Sequence, residues 1–453
     1  MNTEEQGVFV GTRSLLDQFQ RSLRAIRETQ EFVAATHGSA ASTEERFVWV
    51  AKRELPDRPE EILKRVAGFV HPKIHERMDL VATLDDEGTA GAERRAAIER
   101  WGDSLREGIV KITGDEEDYC RYDRVWALTA QESSREIVIL NSLLITAVSE
   151  FETLIAGLVR LFLSARPEIL RTSEKKFSYR EIEEYSSIEE FREVTRESVA
   201  DEVLRGGFDK WMAWLDKERN LGIPEVTTRN YALSEIFQRR HLFVHNSGVV
   251  NSYYLERVTG DHLPPVGARL RVGARYLSNA LDVMTVAGIK IGIAVARKTL
   301  KGLEYLDEID HYLGHVTYDQ MIDRRYKVAH DIGVLQSVSA RTGEVKLIGQ
   351  VNAWLSLKNL SGVERIAPEV DAWDVSTLAS RFKLAKLALL GRESEAYELT
   401  KKLLDIEELR ASDWMTWPLL ASVRSFEERT VSAVDRIWTP AFDSPHGEGS
   451  DSR

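Results

Sequence analysis

Cysteine is almost missing from this chain of 453 residues: the single Cys120 can neither close an internal disulfide nor supply the paired sulfurs of a zinc site. A disulfide-stapled secreted scaffold is excluded, and a reducing cytoplasmic setting is expected. Proline is scarce, at 11 of 453 residues, and hydrophobic residues make up 43%, which excludes a Pro-rich or disordered linker and favours helix. The opening MNTEEQGVFV carries acids where a secretory signal needs a basic stretch before an apolar run, so export by that route is not expected. The longest apolar stretch, Val283 to Val295, is interrupted by Lys290 and falls short of the ~18–20 residues that cross a bilayer, so no membrane span is expected. Basic residues number 61 and acidic residues 73, a net charge of −12 that argues against unselective coating of nucleic acid. A site for a polyanion must therefore be local. No GxxxxGK[ST], HExxH or GxSxG occurs, which removes the sequence support for a phosphate-loop ATPase, a zincin or a serine hydrolase.

What is present is helical periodicity. Leu15, Phe19, Leu23, Ile26 and Phe32 recur every three to four residues within 14–35, and similar patterns run through 47–70 and 93–110. Pro56, Pro59, Pro72 and the polar DDEGTAG segment at 85–91 are read as breaks between them. Residues 1–135 thus form an N-terminal helical region. A long helix is expected over Ile137 to Leu163, an acidic helical segment over 177–206, and an apolar stripe with Trp211, Trp214 and Leu215. A second long helix runs from about Tyr231 to His245 and stops at Asn246-Ser247-Gly248, residues that tolerate a left-handed turn. The piece VVNSYYLE is read as extended, Pro264-Pro265-Val266-Gly267 as a turn, and about Arg275 to Leu300 as a last helix of the unit 136–300. Over 301–439 the pattern shifts to shorter helical pairs. NAWLSLKNLSGVERIAPEVD aligns with KLALLGRESEAYELTKKLLD, setting Asn359 against Gly391, 32 positions apart, and so resembles a degenerate tetratricopeptide-type repeat. Residues 440–453 read as a disordered tail.

The most informative stretch is Gln238-Arg239-Arg240-His241-Leu242-Phe243-Val244-His245-Asn246-Ser247-Gly248. An Arg followed at five to six positions by a His recurs at Arg65/His71, Arg257/His262 and Arg325/His330. Only Arg240/His245 combines a polar second position, an Asn-x-Gly stop and an upstream helix containing SEFETLI. In these features the chain resembles the HEPN superfamily, helical domains whose ribonuclease members carry an Arg, a polar residue, three mostly apolar residues and a His at a helix end. The resemblance covers about 136–300. It implies an all-α chain with a HEPN-like bundle, acting as a metal-independent and cofactor-independent homodimeric endoribonuclease. In it Arg240 holds the scissile phosphate, His245 is general acid or base, and His241, Asn246 and Glu152 support them. Effectors of this kind serve as toxins or in antiviral defence, and attack by the ribose 2′-OH leaves a 2′,3′-cyclic phosphate.

Independent of the resemblance, five helical positions subtend about 140°, so Arg240 and His245 do not share a face, whereas His241 and His245 do. One copy thus makes an incomplete pocket, which the two-fold pairing implied by the resemblance would complete. From Arg257 to Lys301 eight basic residues face two acidic ones, a local charge of +6 beside the motif. Asn246 serves equally as a helix stop, and Glu152 as an ordinary ion-pair partner. Trp211 and Trp214 fit core packing better than base stacking, Asp115-Glu116-Glu117-Asp118 reads as a solvated loop, and Cys120 as an inert, partly buried thiol. The competing reading is a non-catalytic scaffold, with the HEPN-like unit as dimer interface and the 301–453 helices presenting a groove to a protein partner.

Overall fold

The computed structural model describes residues 3–37, 43–86, 91–171, 177–215, 220–222, 231–260 and 263–431. These residues fold as helices, in order α1 (Thr3–His37), α2 (Thr43–Glu54), α3 (Glu60–Asp86), α4 (Gly91–Thr113), α5 (Asp118–Ala165), α6 (Glu168–Arg171), α7 (Tyr179–Glu183), α8 (Ile188–Arg205), α9 (Phe208–Ala213), α10 (Tyr231–His245), α11 (Ser252–Arg257), α12 (Ala274–Thr299), α13 (Leu303–Ile322), α14 (Tyr326–Ser339), α15 (Gly343–Ser361), α16 (Ala367–Ala372), α17 (Ser380–Leu389), α18 (Glu393–Asp405), α19 (Ala411–Thr416) and α20 (Ala421–Thr430). Among the described residues the only β-pairing is an isolated antiparallel bridge, Val249 to Arg269. The chain is all-α, as its periodicity predicts.

The main core is built on three long helices. Glu5 near the start of α1 accepts hydrogen bonds from the Lys301 and Gly302 amides, while Gln30 near its end donates to the Ala274 carbonyl at the start of α12. α1 therefore runs antiparallel to α12. Arg166 just past the end of α5 reaches the Lys298 carbonyl, and Asn141 accepts from the Val272 amide, so α5 and α12 run side by side in the same direction. The three approach closely because α12 is bare where they cross. A Cβ on Gly288 would stand 2.5 Å from the Phe19 ring, and one on Gly292 would stand 2.6 Å from Leu16. One apolar cluster runs from Val8 through α5, α9, α10 and α12 to Ile332. Arg27, largely withdrawn from water between α1 and α12, is matched there by Asp282 at 2.6 Å.

This burial explains two unusually apolar stretches. Ile137–Ala165 and Ala274–Thr299 are long and apolar enough to cross a membrane by length and composition, with 50% and 67% of their most apolar windows buried inside the protein. The 13-residue stretch with its Lys290 interruption therefore understates the apolar length of α12. Smaller clusters hold α2–α4 against the first part of α5, and α14–α20 against one another.

Several local expectations change in three dimensions. α5 passes through position 135 without a break and α1 packs into the central core, so the 1–135 region shares its helices and core with 136–300. Pro72 lies inside α3 instead of ending it, because Leu63, Val66, Ala67 and Val70 are packed into the α2–α5 cluster on the turns before it. The SYYLE part of the expected extended piece falls in the helix α11, started by the Asn251 side chain accepting from the Tyr254 amide at 2.9 Å. Asp118 is not solvated: it is fully buried, with Arg58 at 2.7 Å and Arg121 at 3.5 Å. Cys120 is exposed, contrary to the partly buried thiol expected. In the C-terminal region Asn359 lies within α15, and the turn falls at Gly362, whose φ of +88° only glycine adopts readily. Gly391 does mark a turn, between α17 and α18, with φ +72°. The expected tail at 440–453 lies outside the described residues, as does His262 of the Arg257/His262 spacing.

Candidate functional site

The motif helix α10 is anchored by Leu233, Ile236, Phe237 and Leu242, all buried. Phe237 stacks on Phe208 of α9 at 4.7 Å and meets Phe151 of α5 edge-on at 5.6 Å. Trp211 joins the same aromatic group and is 3% exposed, so it is core and not a base-stacking surface. The helix ends where Asn-Ser-Gly predicts. The Asn246 and Gly248 amides both donate to the Leu242 carbonyl, at 2.8 and 3.0 Å, and Ser247 and Gly248 take φ of +50° and +77°. Asn246 Nδ2 donates to the Val249 carbonyl at 2.6 Å. Its side-chain nitrogen is thus committed to the turn. Backbone pairing of 248–250 with 267–270 then returns the chain beneath the helix end.

Four side chains, His241, His245, Tyr253 and Arg257, meet around that end. The His241 and His245 rings lie 4.6 Å apart between centroids, as their i, i+4 spacing dictates. His241 also lies 5.7 Å from the Tyr253 ring on α11, and the Arg257 guanidinium covers the other reach of that ring at 4.0 Å. His245 is exposed and His241 half-buried. Arg240 points elsewhere, toward α5, where its Nη2 lies 3.4 Å from Glu152 Oε2. Its Nε is buried with no hydrogen-bond partner among the described residues. The sequence reading placed Glu152 near the motif helix, and the structure brings it to Arg240. It does not bring Arg240 and His245 together within one chain.

Electrostatics separates the groups further. Burial, followed by His245, Arg240 and Arg257 as positive neighbours, holds His241 below its ordinary value of 6.5 and so favours the neutral ring. Burial raises the Glu152 carboxyl, and the Arg240 charge opposes that rise only in part. The basic run from 257 to 301 divides along α12. Arg257, Arg269, Arg271 and Arg275 are exposed near the motif, whereas Arg297 is tied to Asp310 at 2.5 Å at the far end of the helix. The Arg325/His330 spacing has structural partners: Arg325 precedes α14 and bonds Ser278 and Glu31, and His330 pairs with Asp331. Among the described residues no group of three or more His, Cys, Asp or Glu is placed to hold a metal ion.

Sequence reasoning missed the group that fixes α10 in place. Glu235, one turn before Arg239, accepts from Tyr254 at 2.7 Å, Tyr276 at 2.5 Å and Arg239 at 2.6 Å, while the Arg239 guanidinium lies 4.0 Å over the Tyr276 ring. Burial first, and the adjacent carboxylate second, push both phenols up, so they remain hydrogen-bond donors. The i, i+4 pair Glu235/Arg239 was legible, but its tyrosines come from α11 and α12. Glu235→Gln leaves a carboxamide where three donors converge, so at least one donor loses its acceptor. The expected cost is about 1–3 kcal/mol, read as a lowered urea midpoint with unchanged slope. An unchanged midpoint would show that the cluster does not hold the motif helix. Comparison with known protein families, with characterised proteins and with solved structures finds no match to this chain.

Proposed function

We propose that this chain is a metal-independent endoribonuclease whose working unit is a homodimer. The observation that carries the reading is the imidazole pair 4.6 Å apart on an exposed helix end, with Tyr253 and Arg257 beside it and Arg240 of the same helix turned toward Glu152 on α5. The ring held neutral, His241, is suited to take the proton from a ribose 2′-OH, and the exposed His245 to deliver one to the leaving oxygen. As the 2′-oxygen bonds to phosphorus, the bond from phosphorus to the 5′-oxygen breaks, and the proton from the second imidazole leaves with that oxygen. The products are a 2′,3′-cyclic phosphate and a 5′-hydroxyl. Guanidinium groups stabilise the charge that builds on the phosphate oxygens.

One copy supplies an incomplete pocket, because Arg240 and His245 lie about 140° apart on their helix. A second copy across a two-fold axis brings another arginine to each histidine pair. Val244, Tyr253, Leu263 and Val266 are exposed apolar residues on this end of the molecule and suit such a face. The biological setting proposed is a toxin or antiviral effector in the cytoplasm, with the flanking helices restraining it. RNA and a matched strand with every 2′-OH replaced by hydrogen, both incubated in chelator, test the chemistry. Only the RNA is cut, and its fragments end in cyclic phosphate; cutting of both strands overturns the reading.

The pH dependence follows from His241. A base whose pKa lies below 6.5 stays competent as the medium is acidified past that value, so the acid limb of kcat/KM falls below pH 6.5. Arg257→Gln removes one of the positive neighbours and moves that limb upward. An acid limb above 6.5 that ignores Arg257 removes His241 from the role of base. The scaffold reading draws on one observation, the Arg240–Glu152 ion pair, which gives the motif arginine a purely structural partner.

A further inference from the structure

α13, α14, α15, α17 and α19 surround a cavity of about 400 Å³, in the size range of small-molecule sites and remote from the motif helix. Its walls are apolar and partly aromatic, with Met321, Val351, Phe382, Leu409 and Trp417 among them. Two carboxamides lie in this apolar lining. Gln336, 1% exposed, spends its Nε2 on the Asp310 carbonyl at 3.0 Å and leaves Oε1 buried with no hydrogen-bond partner. Asn352, 7% exposed, lies in the same lining on α15. A buried acceptor without a donor costs about 1–3 kcal/mol, so a ligand that brings an N–H group recovers that loss.

The charges at the mouth argue against an anionic ligand. Arg381 is paired with Glu344, Arg410 with Asp413, and Glu408 adds a further acid, so no uncompensated guanidinium awaits a phosphate. The buried end of the ligand must be uncharged, able to lie against aromatic rings, and able to present N–H groups beside an acceptor. We propose that this cavity binds a nucleoside through an amino-bearing base. The exocyclic amino group would donate to Gln336 Oε1 and Asn352 Oδ1, the adjacent ring nitrogen would accept from Asn352 Nδ2, and the base would pack against Trp417 and Phe382. The ribose then lies at the mouth, where His311 and His315, one helical turn apart on α13, are exposed. This site stands on its own chemistry and holds whether or not the motif helix cuts RNA.

Titration calorimetry of the full chain with adenosine, cytidine and uridine tests it. Adenosine and cytidine bind, and uridine, which carries a carbonyl where they carry the amino group, binds at least about tenfold more weakly. Asn352→Leu weakens adenosine by about tenfold or more. Trp417→Leu, at the partly exposed mouth, serves as a second variant should Asn352→Leu fail to fold, and is expected to weaken all nucleosides together. The proposal is overturned if no nucleoside binds at millimolar concentration, if uridine binds as well as adenosine, or if neither substitution changes affinity. It is overturned equally if the apolar dye anilinonaphthalene sulfonate fills the cavity and no nucleoside displaces it, which would assign the site to an apolar ligand.

Discussion

RNA cleavage by the Arg240→Ala and His245→Ala proteins is expected to fall about 10²–10⁴-fold each, the range spanned by removal of one proton-transfer group or one oxyanion-stabilising contact. The two losses have different origins. His245 is exposed at the helix end, so its removal should leave stability nearly untouched and take away the proton donor. Arg240 lies against Glu152 with its Nε buried, so alanine there also strands a carboxyl in a half-buried setting where burial already favours the protonated form. Glu152→Gln separates the two effects. If Arg240 acts on phosphate, the glutamine variant keeps most of its activity and gains affinity for RNA, since a competing anion is gone. If Arg240 is only an ion-pair partner, Arg240→Ala and Glu152→Gln both change the melting temperature and neither changes cleavage. Rates are measured on a labelled RNA in chelator, with the dimer followed by light scattering. Growth of cells after induction gives a second readout, toxicity being lost in both alanine variants. Full cleavage by His245→Ala would falsify the nuclease reading outright.

Legibility from sequence tracks the range of the interaction that decides each feature. The end of α10 was readable to the residue, because its Asn246-Ser247-Gly248 stop is set by local backbone preference. The His241/His245 contact was readable for the same reason, being fixed by helical spacing alone. Pro72 misled because a local penalty of about 3 kcal/mol for an interior proline is outweighed by apolar packing of Leu63, Val66, Ala67 and Val70 on the turns before it, which only the fold reveals. Asp118 misled in the opposite sense. It stands in a run of four acids, yet Arg58, 60 positions earlier, buries it. The Glu235 cluster and the Gln336/Asn352 cavity had no sequence signal beyond single polar residues in helical patterns, since each draws its members from three or more helices. Arg240 is the instructive intermediate: the pattern located it, while its 3.4 Å pairing with Glu152 depended on how α10 lies across α5.

Gly349→Ala should be the most damaging single-methyl change in the C-terminal half. α14 and α15 approach so closely that a Cβ on Gly349 would stand 2.6 Å from the Ser337 backbone nitrogen and 2.9 Å from the Gly333 carbonyl oxygen. A side chain in the way could rotate aside, as Leu16 could for Gly292, but backbone atoms of a packed helix cannot. The two helices must separate, loosening Ile332 and Gln336 on one side and Val351 and Ala353 on the other, all of them buried. Overpacking of this kind costs typically about 1–3 kcal/mol, and contact with backbone puts this case at about 3 kcal/mol or above. Gly343→Ala is the internal control. It lies at the first turn of the same helix with no atom near its missing Cβ, and there alanine stabilises by about 0.4–1 kcal/mol through the unfolded chain. Urea unfolding followed by tryptophan fluorescence distinguishes them, since Trp354, Trp373, Trp414 and Trp417 all lie in or against this cluster. Equal midpoints for the two variants would mean that α14 and α15 do not cross at Gly333 and Gly349. Because Gln336 sits on α14 and Asn352 on α15, a Gly349→Ala protein that still folds should also lose nucleoside affinity at the cavity, with cleavage at the distant motif helix unchanged.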